Sequence, residues 1–177
     1  LDLDIATFDQ YAFCSPHTIF IEKGGGVTPG KFAEELAGAL KYVGQKLIRK
    51  SPADTRKNLD ILTLRAKYSM VGHVWSSLDT EWTVILSNEK GLGPACASRV
   101  IFVKPINSLK EVAGLADRGK QTLGASLKSK ERLDLLKRIT LNGVDRCVPY
   151  GRMTFFDSPW DGRFMTDRLV RWVSYYE

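Results

Sequence analysis

Hydrophobic residues recur at two different periods in the amino-terminal part of the chain. Thr18–Glu22 (TIFIE) combines β-branched and aromatic residues and is stopped by a glycine run at 24–26, which predicts a short strand. Thr28 followed by Pro29 is a typical start of a helix, with an N-cap and a first-turn proline. The apolar residues that follow are three or four positions apart and predict one buried helical stripe: Phe32, Leu36, Leu40, Val43 and Leu47.

The rest of the chain continues this alternation of strands and helices. Helices are predicted over Asp54–Met70, Ser108–Arg118, Lys130–Leu141 and Phe164–Tyr176, and strands over Trp82–Leu86, Arg99–Val103, Thr122–Leu127 and Val144–Val148. The residues expected to face inward are Leu59, Leu62 and Ala66 in the first of these helices, and Leu133, Leu136, Ile139 and Thr140 in the third. Asn142-Gly143 is a typical helix end. Such an alternation predicts an α/β domain with a largely parallel sheet.

Composition narrows the class of protein. With 177 residues, 44% of them hydrophobic, the chain is long enough for one globular domain with its own core. No apolar run approaches the roughly 18 residues of a membrane span. Three widely spaced cysteines argue against a disulfide framework and favour a reducing cytoplasm. The chain begins at Leu1 rather than at a methionine, and we expect it to be a piece of a longer protein.

Charge and motifs exclude several functions. The net charge is +6, but basic residues alternate with acidic ones along predicted helices, which is typical of solvated helix faces rather than of nucleic-acid binding. A phosphate-bearing cofactor would also suit this mildly basic surface. Two histidines and no C-x-x-C pair predict that there is no metal site. Neither G-x-G-x-x-G nor a P-loop occurs, so the chain has no dinucleotide or triphosphate fingerprint of its own.

Cys14 is the candidate catalytic residue. It lies in FDQYAFCSPHTIFIEKG, in a loop just before the first strand, where α/β proteins often keep reactive groups. One interpretation is a small buried residue; the other is a nucleophile near backbone N–H groups that hold an oxyanion. His17, three residues later, is a possible partner for the thiol. Cys96 and Cys147 lie beside or inside predicted strands and are expected to be inert core thiols.

A second segment carries a family resemblance. EKGLGPACASRVIFVKPINSLKEVAGLADRGKQTLGASL resembles the middle of the catalytic domain of the aldehyde dehydrogenase superfamily, with its Glu-x-Phe-Gly-Pro loop followed by strand, helix and strand. The resemblance implies a three-layer α/β/α domain with a mostly parallel sheet. It also implies that Cys14, with Gln10 upstream, is the nucleophile. The superfamily's ribose-binding glutamate falls on Lys90, one position after Glu89, so these two residues are the expected cofactor-binding positions.

A closer resemblance is to the long-chain acyl-CoA reductases of bacterial luminescence, the reductase component of the fatty acid reductase complex. FDQYAFCSPHTIFIE and GVDRCVPYGRMTFFDSPWDG carry it, and it extends over nearly the whole chain. The family pattern is Asp-Gln, a short gap and Cys-Ser-Ser-Pro, with a later Val-Pro-x-Gly and Trp-Asp-Gly. This chain has one serine fewer, so a gapless alignment sets Phe13 opposite the family cysteine, although Cys14 is the thiol present there.

This second resemblance implies a function and partners. A fatty-acyl thioester would acylate Cys14, and NADPH would reduce the acyl group to a fatty aldehyde. The whole chain, 1–177, would be a single catalytic domain, with NADPH bound mainly by a preceding domain absent from it. The chain alone would then be acylated without turning over. The implied partners are a long-chain acyl-CoA or acyl-protein, possible synthetase and transferase subunits, and a homo-oligomer of the full-length protein.

Two other functions remain open at this level. One is a non-redox acyltransferase domain that uses the same cysteine. The other is a basic, non-catalytic interaction module, for which Cys14 would have no chemical role. Nicotinamide dependence tests the first alternative, and the activity of a Cys14→Ala variant tests the second.

Overall fold

The secondary structure follows most of the predicted segments. The computed structural model describes residues 1–47, 54–160 and 162–177. The helices are α1 (Asp2–Ala6), α2 (Pro29–Lys46), α3 (Thr55–Val71), α4 (Leu109–Ala113) and α5 (Ser129–Leu141), with a 3-10 turn at Met165–Arg168. The strands are β1 (Thr18–Glu22), β2 (His73–Ser76), β3 (Thr83–Leu86), β4 (Val100–Ile106), β5 (Thr122–Gly124) and β6 (Arg146–Val148). The sequence pattern did not predict α1 or β2.

The main sheet has the strand order β1-β4-β3-β2. β4 pairs in parallel with both β1 and β3, while β2 is antiparallel to β3. A separate two-stranded sheet pairs β5 and β6 in parallel. The predicted α/β class with mostly parallel pairing is therefore confirmed, while the three-layer arrangement stays a prediction.

Alternate residues of β3 and β4 enter different cores. Since successive side chains of a strand point to opposite faces, the two sides of the sheet are covered separately. One cluster joins the sheet to α1 and α2 and includes Ile5, Leu36, Leu40, Val84, Ile101 and Val103. The other joins it to α3 and to the loop before β4, and includes Ile61, Tyr68, Ile85, Cys96, Val100 and Phe102.

Helix α2 begins and packs as predicted. The Thr28 hydroxyl accepts a hydrogen bond from the Lys31 N–H at 3.2 Å, and Pro29 occupies the first turn. Leu36, Leu40 and Val43 are buried, which confirms the stripe in its centre. Leu47 lies just beyond the helix end and is exposed.

The predicted inward face of α3 is wrong, and that of α5 is correct for Ile139 and Leu136 only. In α3, Leu59, Leu62 and Ala66 are exposed, and Ile61 and Tyr68 are buried instead. The leucines of α3 are spread around the helix, so their spacing did not define one face, whereas the Tyr68 ring packs edge-on against Phe102 of the sheet at 5.1 Å. In α5 the buried residues are Leu135 and Ile139; Leu136 is partly buried as expected, but Leu133 and Thr140 are exposed.

The predicted closing helix over Phe164–Tyr176 is also wrong. The only regular structure there is the 3-10 turn at Met165–Arg168, and residues 164–177 are exposed throughout. An isolated helix of about 12–15 residues is marginal in water unless one face packs on the rest of the protein. No core cluster among the described residues includes this segment, so that support is missing. Ser108–Arg118 and Thr122–Leu127 likewise form shorter elements than predicted, α4 and β5.

Candidate functional site

Cys14 lies in a tightly turned loop between α1 and β1, at the amino-terminal end of the parallel strands. The Tyr11 N–H donates to the Phe8 carbonyl and the Ser15 N–H donates to the Ala12 carbonyl, both at 2.9 Å, so the loop contains successive turns. Cys14 itself is 7% exposed. The turned backbone therefore holds Cys14 in a defined and buried position.

Gln10 holds the two ends of this loop together. Its side-chain amide nitrogen donates to the Pro16 carbonyl at 2.7 Å and to the Val100 carbonyl at 2.9 Å. Residues 10 and 16 flank Cys14, and Val100 is the first residue of β4, so one amide fixes the loop to the sheet. Since both partners are carbonyls, the nitrogen must face them and the oxygen must face elsewhere. That oxygen is buried and has no hydrogen-bond partner among the described residues.

A buried ion pair holds the residue that directly precedes Gln10. The Arg99 guanidinium donates from Nε to the Asp9 carboxylate at 2.7 Å, and the two side chains are 1% and 10% exposed. Arg99 also donates to the Leu47 carbonyl at 2.8 Å. The carboxyl group is thereby fixed one residue before Gln10.

The loop that carries Cys14 and the loop just before β4 both contain residues with unusual backbone angles. Asp9 and Gln10 have φ angles of 50° and 62°, and Ala97, Ser98 and Arg99 have φ angles of 59°, 54° and 58°. Non-glycine residues rarely adopt positive φ, and each such residue costs about 1–3 kcal/mol. The Ser98 N–H donates to the Asp9 carbonyl at 2.8 Å, which locks one strained turn against the other. Strain of this kind persists where surrounding contacts enforce it, and it is common near functional sites.

The donors beside Cys14 differ from those expected. The Ser15 N–H is already used within the turn, and Pro16 has no N–H. The Ser15 hydroxyl, however, is buried and has no hydrogen-bond partner in the part of the chain that the structure describes. It is the candidate donor to an oxyanion at this position.

His17 lies directly before β1. Its Nδ1 is buried without a hydrogen-bond partner within the described ranges, and burial lowers the pKa of its imidazole. A histidine with a lowered pKa is neutral at physiological pH and can accept a proton. His17 therefore remains a candidate base for the Cys14 thiol.

An aromatic cluster brings the two motif-bearing segments of the chain together. The Phe13 and Trp160 rings meet edge to face with centroids 6.0 Å apart, and Phe156 stacks on Trp160 at 4.6 Å. Phe13 is the residue immediately before Cys14. Asp161, the middle residue of the Trp-Asp-Gly triplet, lies outside the described residues.

Buried charges attach the aromatic segment to the domain. The Arg146 guanidinium lies 4.8 Å from the centre of the Trp160 ring and donates to the carbonyls of Met153 and Phe155 at 2.7 and 2.6 Å. The buried Asp4 carboxylate accepts from the N–H groups of Gly151 and Met153 at 2.6 and 3.1 Å. Asp4 of α1 and Arg146 of β6 thus bind the carboxy-terminal motif to the domain.

Glu89 and Lys90 lie elsewhere, toward the carboxyl ends of β3 and β4. The Tyr68 hydroxyl donates to the Glu89 carboxylate at 2.6 Å, and Lys67 lies 3.5 Å from its other oxygen. The Tyr68 hydrogen bond, assisted by Lys67, lowers the pKa of Glu89. The buried Lys104 ammonium donates to the Glu89 carbonyl at 3.0 Å, and burial lowers the pKa of that ammonium.

Glu89, Lys90 and Lys104 line a pocket of about 300 Å³ at this end of the sheet. Phe20, Asn88 and Glu111 also contribute to its walls. Carboxylates and ammonium groups are suited to binding hydroxyl and phosphate groups. A volume near 300 Å³ is at the lower end of the range for small-molecule sites.

Cys14 is not among the residues that line the pocket at Glu89. The loop that follows Glu89 passes Thr18, whose hydroxyl accepts from the Gly93 N–H at 2.9 Å, and then reaches Asp9 through Ser98. Gly93 lies so close to the Phe102 ring that a β-carbon there would be 2.3 Å from it. The loops that carry Cys14 and Glu89 therefore meet at the contact between Gly93 and Thr18.

The thiols of Cys96 and Cys147 were expected to lie in the core, and they are buried to different degrees. Cys96 is buried in the core beneath α3, and burial raises the pKa of its thiol. Cys147, in β6, is only partly buried, and burial likewise raises the pKa of its thiol. Raised pKa values make both thiols poor nucleophiles.

Several residues of the site were not predicted from sequence. Asp9, Arg99 and Arg146 had no motif that set them apart from surface charges. A charged residue directly before a strongly hydrophobic strand, as Arg99 is before VIFV, is the one local signal that it does not face solvent.

These features define an α/β protein with a cysteine held at the amino-terminal end of a parallel sheet. A family model described as acyl-CoA reductase (LuxC) matches residues 1–172, and the chain belongs to that family. The resemblance to acyl-CoA reductases is thereby confirmed, whereas membership of the aldehyde dehydrogenase superfamily stays a prediction. A comparison with curated proteins finds no match. Within the described ranges, no helix is long and apolar enough to cross a membrane.

Proposed function

We propose that this acyl-CoA reductase converts a long-chain fatty-acyl thioester to a fatty aldehyde through an S-acyl intermediate on Cys14. The observation that carries the proposal is the fixed loop around Cys14, in which Gln10 and the pair formed by Asp9 and Arg99 hold strained backbone at one thiol. Family membership supplies the reaction class. Strained, heavily supported backbone beside a potential nucleophile supports a catalytic role for that residue.

In the acylation step, the sulfur of Cys14 bonds to the acyl carbon and the bond between that carbon and the carrier sulfur breaks. The carrier leaves as its thiol with the proton given up by Cys14. His17, neutral because burial lowers its pKa, is the candidate group to accept that proton and pass it on. The Ser15 hydroxyl is the candidate donor to the acyl oxygen, and loss of one such donor typically costs about 3–4 kcal/mol.

The chemistry that a bound NADPH would supply is a hydride to the acyl carbon; the bond between that carbon and the Cys14 sulfur would then break, giving the aldehyde and, after uptake of one proton, the free Cys14 thiol. Glu89 is suited to hold ribose hydroxyl groups, and Lys90 and Lys104 are suited to hold phosphate, because these groups line one pocket. The size of that pocket fits part of a dinucleotide. Because Cys14 does not line that pocket, Glu89 would hold a part of the cofactor other than the reacting ring. The acyl group would arrive as acyl-CoA or from a synthetase subunit.

Intact-mass measurement tests the proposal. Incubation with palmitoyl-CoA should add one acyl group to the wild-type protein and none to Cys14→Ala. Cys147→Ala is the matched control and should be acylated like the wild type, because its thiol has a raised pKa and lies in β6. Acylation of Cys14→Ala at the wild-type rate would refute the role of Cys14. Aldehyde release that does not depend on NADPH would refute the reduction step.

A further inference from the structure

The aromatic cluster of Phe13, Phe156 and Trp160 has no role in the steps given above. Its rings are large and apolar, and two of them are accessible: Phe13 is 68% exposed and Phe156 is 85% exposed, while Trp160 is partly buried. Single exposed apolar residues are ordinary, but a contiguous aromatic patch beside a reactive group is typical of a binding surface.

We infer that this cluster is the binding site for the fatty-acyl chain during acylation of Cys14. The inference rests on the proposed function, because it takes Cys14 as the acylated residue. An acyl chain begins at the carbon that the sulfur attacks, so its first methylene groups must lie beside the neighbours of Cys14. Phe13 is the adjacent residue, and its ring leads directly to Trp160 and from there to Phe156.

The cluster is preorganised, as a binding surface must be. Arg146 is 8% exposed, donates to three carbonyls of the segment 152–155 and lies against the Trp160 ring. Trp160 also exchanges two backbone hydrogen bonds with Arg163, at 2.9 and 3.0 Å. Trp160, the central ring, is therefore held in place without a ligand, which lowers the entropic cost of binding one.

Hydrocarbon is the occupant that these contacts favour. Trp160 already stacks on Phe156, so a planar cofactor ring would have to displace that phenyl group. The guanidinium of Arg146 is committed to carbonyl oxygens, and it offers no obvious partner for a phosphate. A flexible alkyl chain needs neither an open stacking face nor a counter-ion; it gains by removing apolar surface from water.

The test compares acylation rates for two substrates in neighbouring phenylalanine variants. Phe156→Ala removes a ring of the cluster. Phe155→Ala is the matched control, because that ring is also exposed but lies over Arg152 instead. We expect Phe156→Ala to lower the ratio of the palmitoyl-CoA rate to the acetyl-CoA rate by about tenfold, since burial of a few methylene groups is worth that much. Phe155→Ala should keep the wild-type ratio, and Phe156→Leu should restore much of it.

The outcomes separate this inference from the proposed function. If the wild type is acylated at Cys14 but Phe156→Ala keeps the wild-type ratio, the cluster is not the binding site of the acyl chain. The proposed function then still stands. An equal fall in Phe155→Ala also refutes the binding site, since the effect is then not specific to the cluster. A change of oligomeric state in Phe156→Ala with an unchanged ratio would identify the patch as an interface between copies. If the wild type takes up neither acyl group, both proposals fail.

Discussion

The two ends of the parallel strands each carry a carboxylate paired with a cation, but they hold it in opposite environments. At the amino-terminal end, Arg99 and Asp9 are 1% and 10% exposed and meet at 2.7 Å. At the carboxyl-terminal end, Lys67 and Glu89 are 56% and 47% exposed and lie 3.5 Å apart. The pair of carboxylate and cation is part of the core at the amino-terminal end, and it is exposed to solvent at the carboxyl-terminal end.

The difference indicates two kinds of site. A buried pair that maintains strained backbone gives a rigid site, suited to a residue that must attack in one geometry. A solvated pair beside an open pocket can exchange partners, which suits a ligand that arrives and leaves. The comparison therefore fits our proposal of chemistry at the Cys14 end and reversible binding at the Glu89 end.

The largest effect should come from breaking the buried pair. Arg99→Met leaves the Asp9 carboxylate buried without its partner, and we expect the free energy of unfolding to fall by about 3–5 kcal/mol. Lys67→Met, at the exposed pair, should leave the urea midpoint close to that of the wild type. Combining Arg99→Met with Asp9→Asn should recover part of the loss. Equal midpoints for Arg99→Met and Lys67→Met would show that the two ends do not differ as described.

The next effect concerns the amide that fixes the Cys14 loop. Gln10→Ala removes both hydrogen bonds to carbonyls, and we expect a loss of about 1–3 kcal/mol in the free energy of unfolding. Acylation of Cys14 should slow as well, because the loop is released from β4. Urea unfolding and intact-mass kinetics measure the two effects. Asn88→Ala, at the other end, should change neither stability nor acylation; an unchanged acylation rate in Gln10→Ala would contradict the positioning role.

A pH-dependent effect is expected from His17. Burial lowers its pKa in the folded protein, so the unfolded chain takes up a proton first as the pH falls through about 6.5. This contribution to stability is complete above that pH and is lost as the pH falls toward the folded-state pKa. His17→Gln should therefore flatten the fall in urea midpoint between about pH 7.5 and pH 5.5.

The measurement compares the slope of the urea midpoint against pH in His17→Gln and in the wild type. If His17→Gln has the wild-type slope, the His17 imidazole is not the group that titrates.

The smallest effect should come from the exposed pair at the carboxyl-terminal end. Tyr68→Phe removes the hydroxyl that donates to Glu89 but keeps the ring against Phe102. Because Glu89 is solvated and can bind water instead, the urea midpoint should fall less than in Gln10→Ala. The pKa of Glu89 should rise toward its ordinary value, because the largest cause of its lowering is that hydrogen bond. A carboxyl titration followed by NMR measures this, and an unchanged pKa would contradict the assignment.

Prediction from sequence succeeded where the signal was local. The start of α2 at Thr28 and Pro29, the strand Thr18–Glu22 and the loop position of Cys14 each depend on residues only a few positions apart. It failed where the outcome depended on packing. Tyr68 rather than Leu62 turned inward in α3 because the sheet offered Phe102 as a partner, and the Phe164–Tyr176 segment had no such partner in any described core cluster.

The amino-acid sequence by itself determined the α/β class, the main strands and helices, and a single candidate thiol before β1, because hydrophobic period, caps and turns act over one or two turns of chain. Only the tertiary structure decided that Arg99 reaches Asp9 across 90 positions and that Trp160 meets Phe13. Contacts of that kind depend on strand register and on which loops the sheet brings side by side. No local pattern encodes them, so the surroundings of the thiol became visible only once the chain was folded.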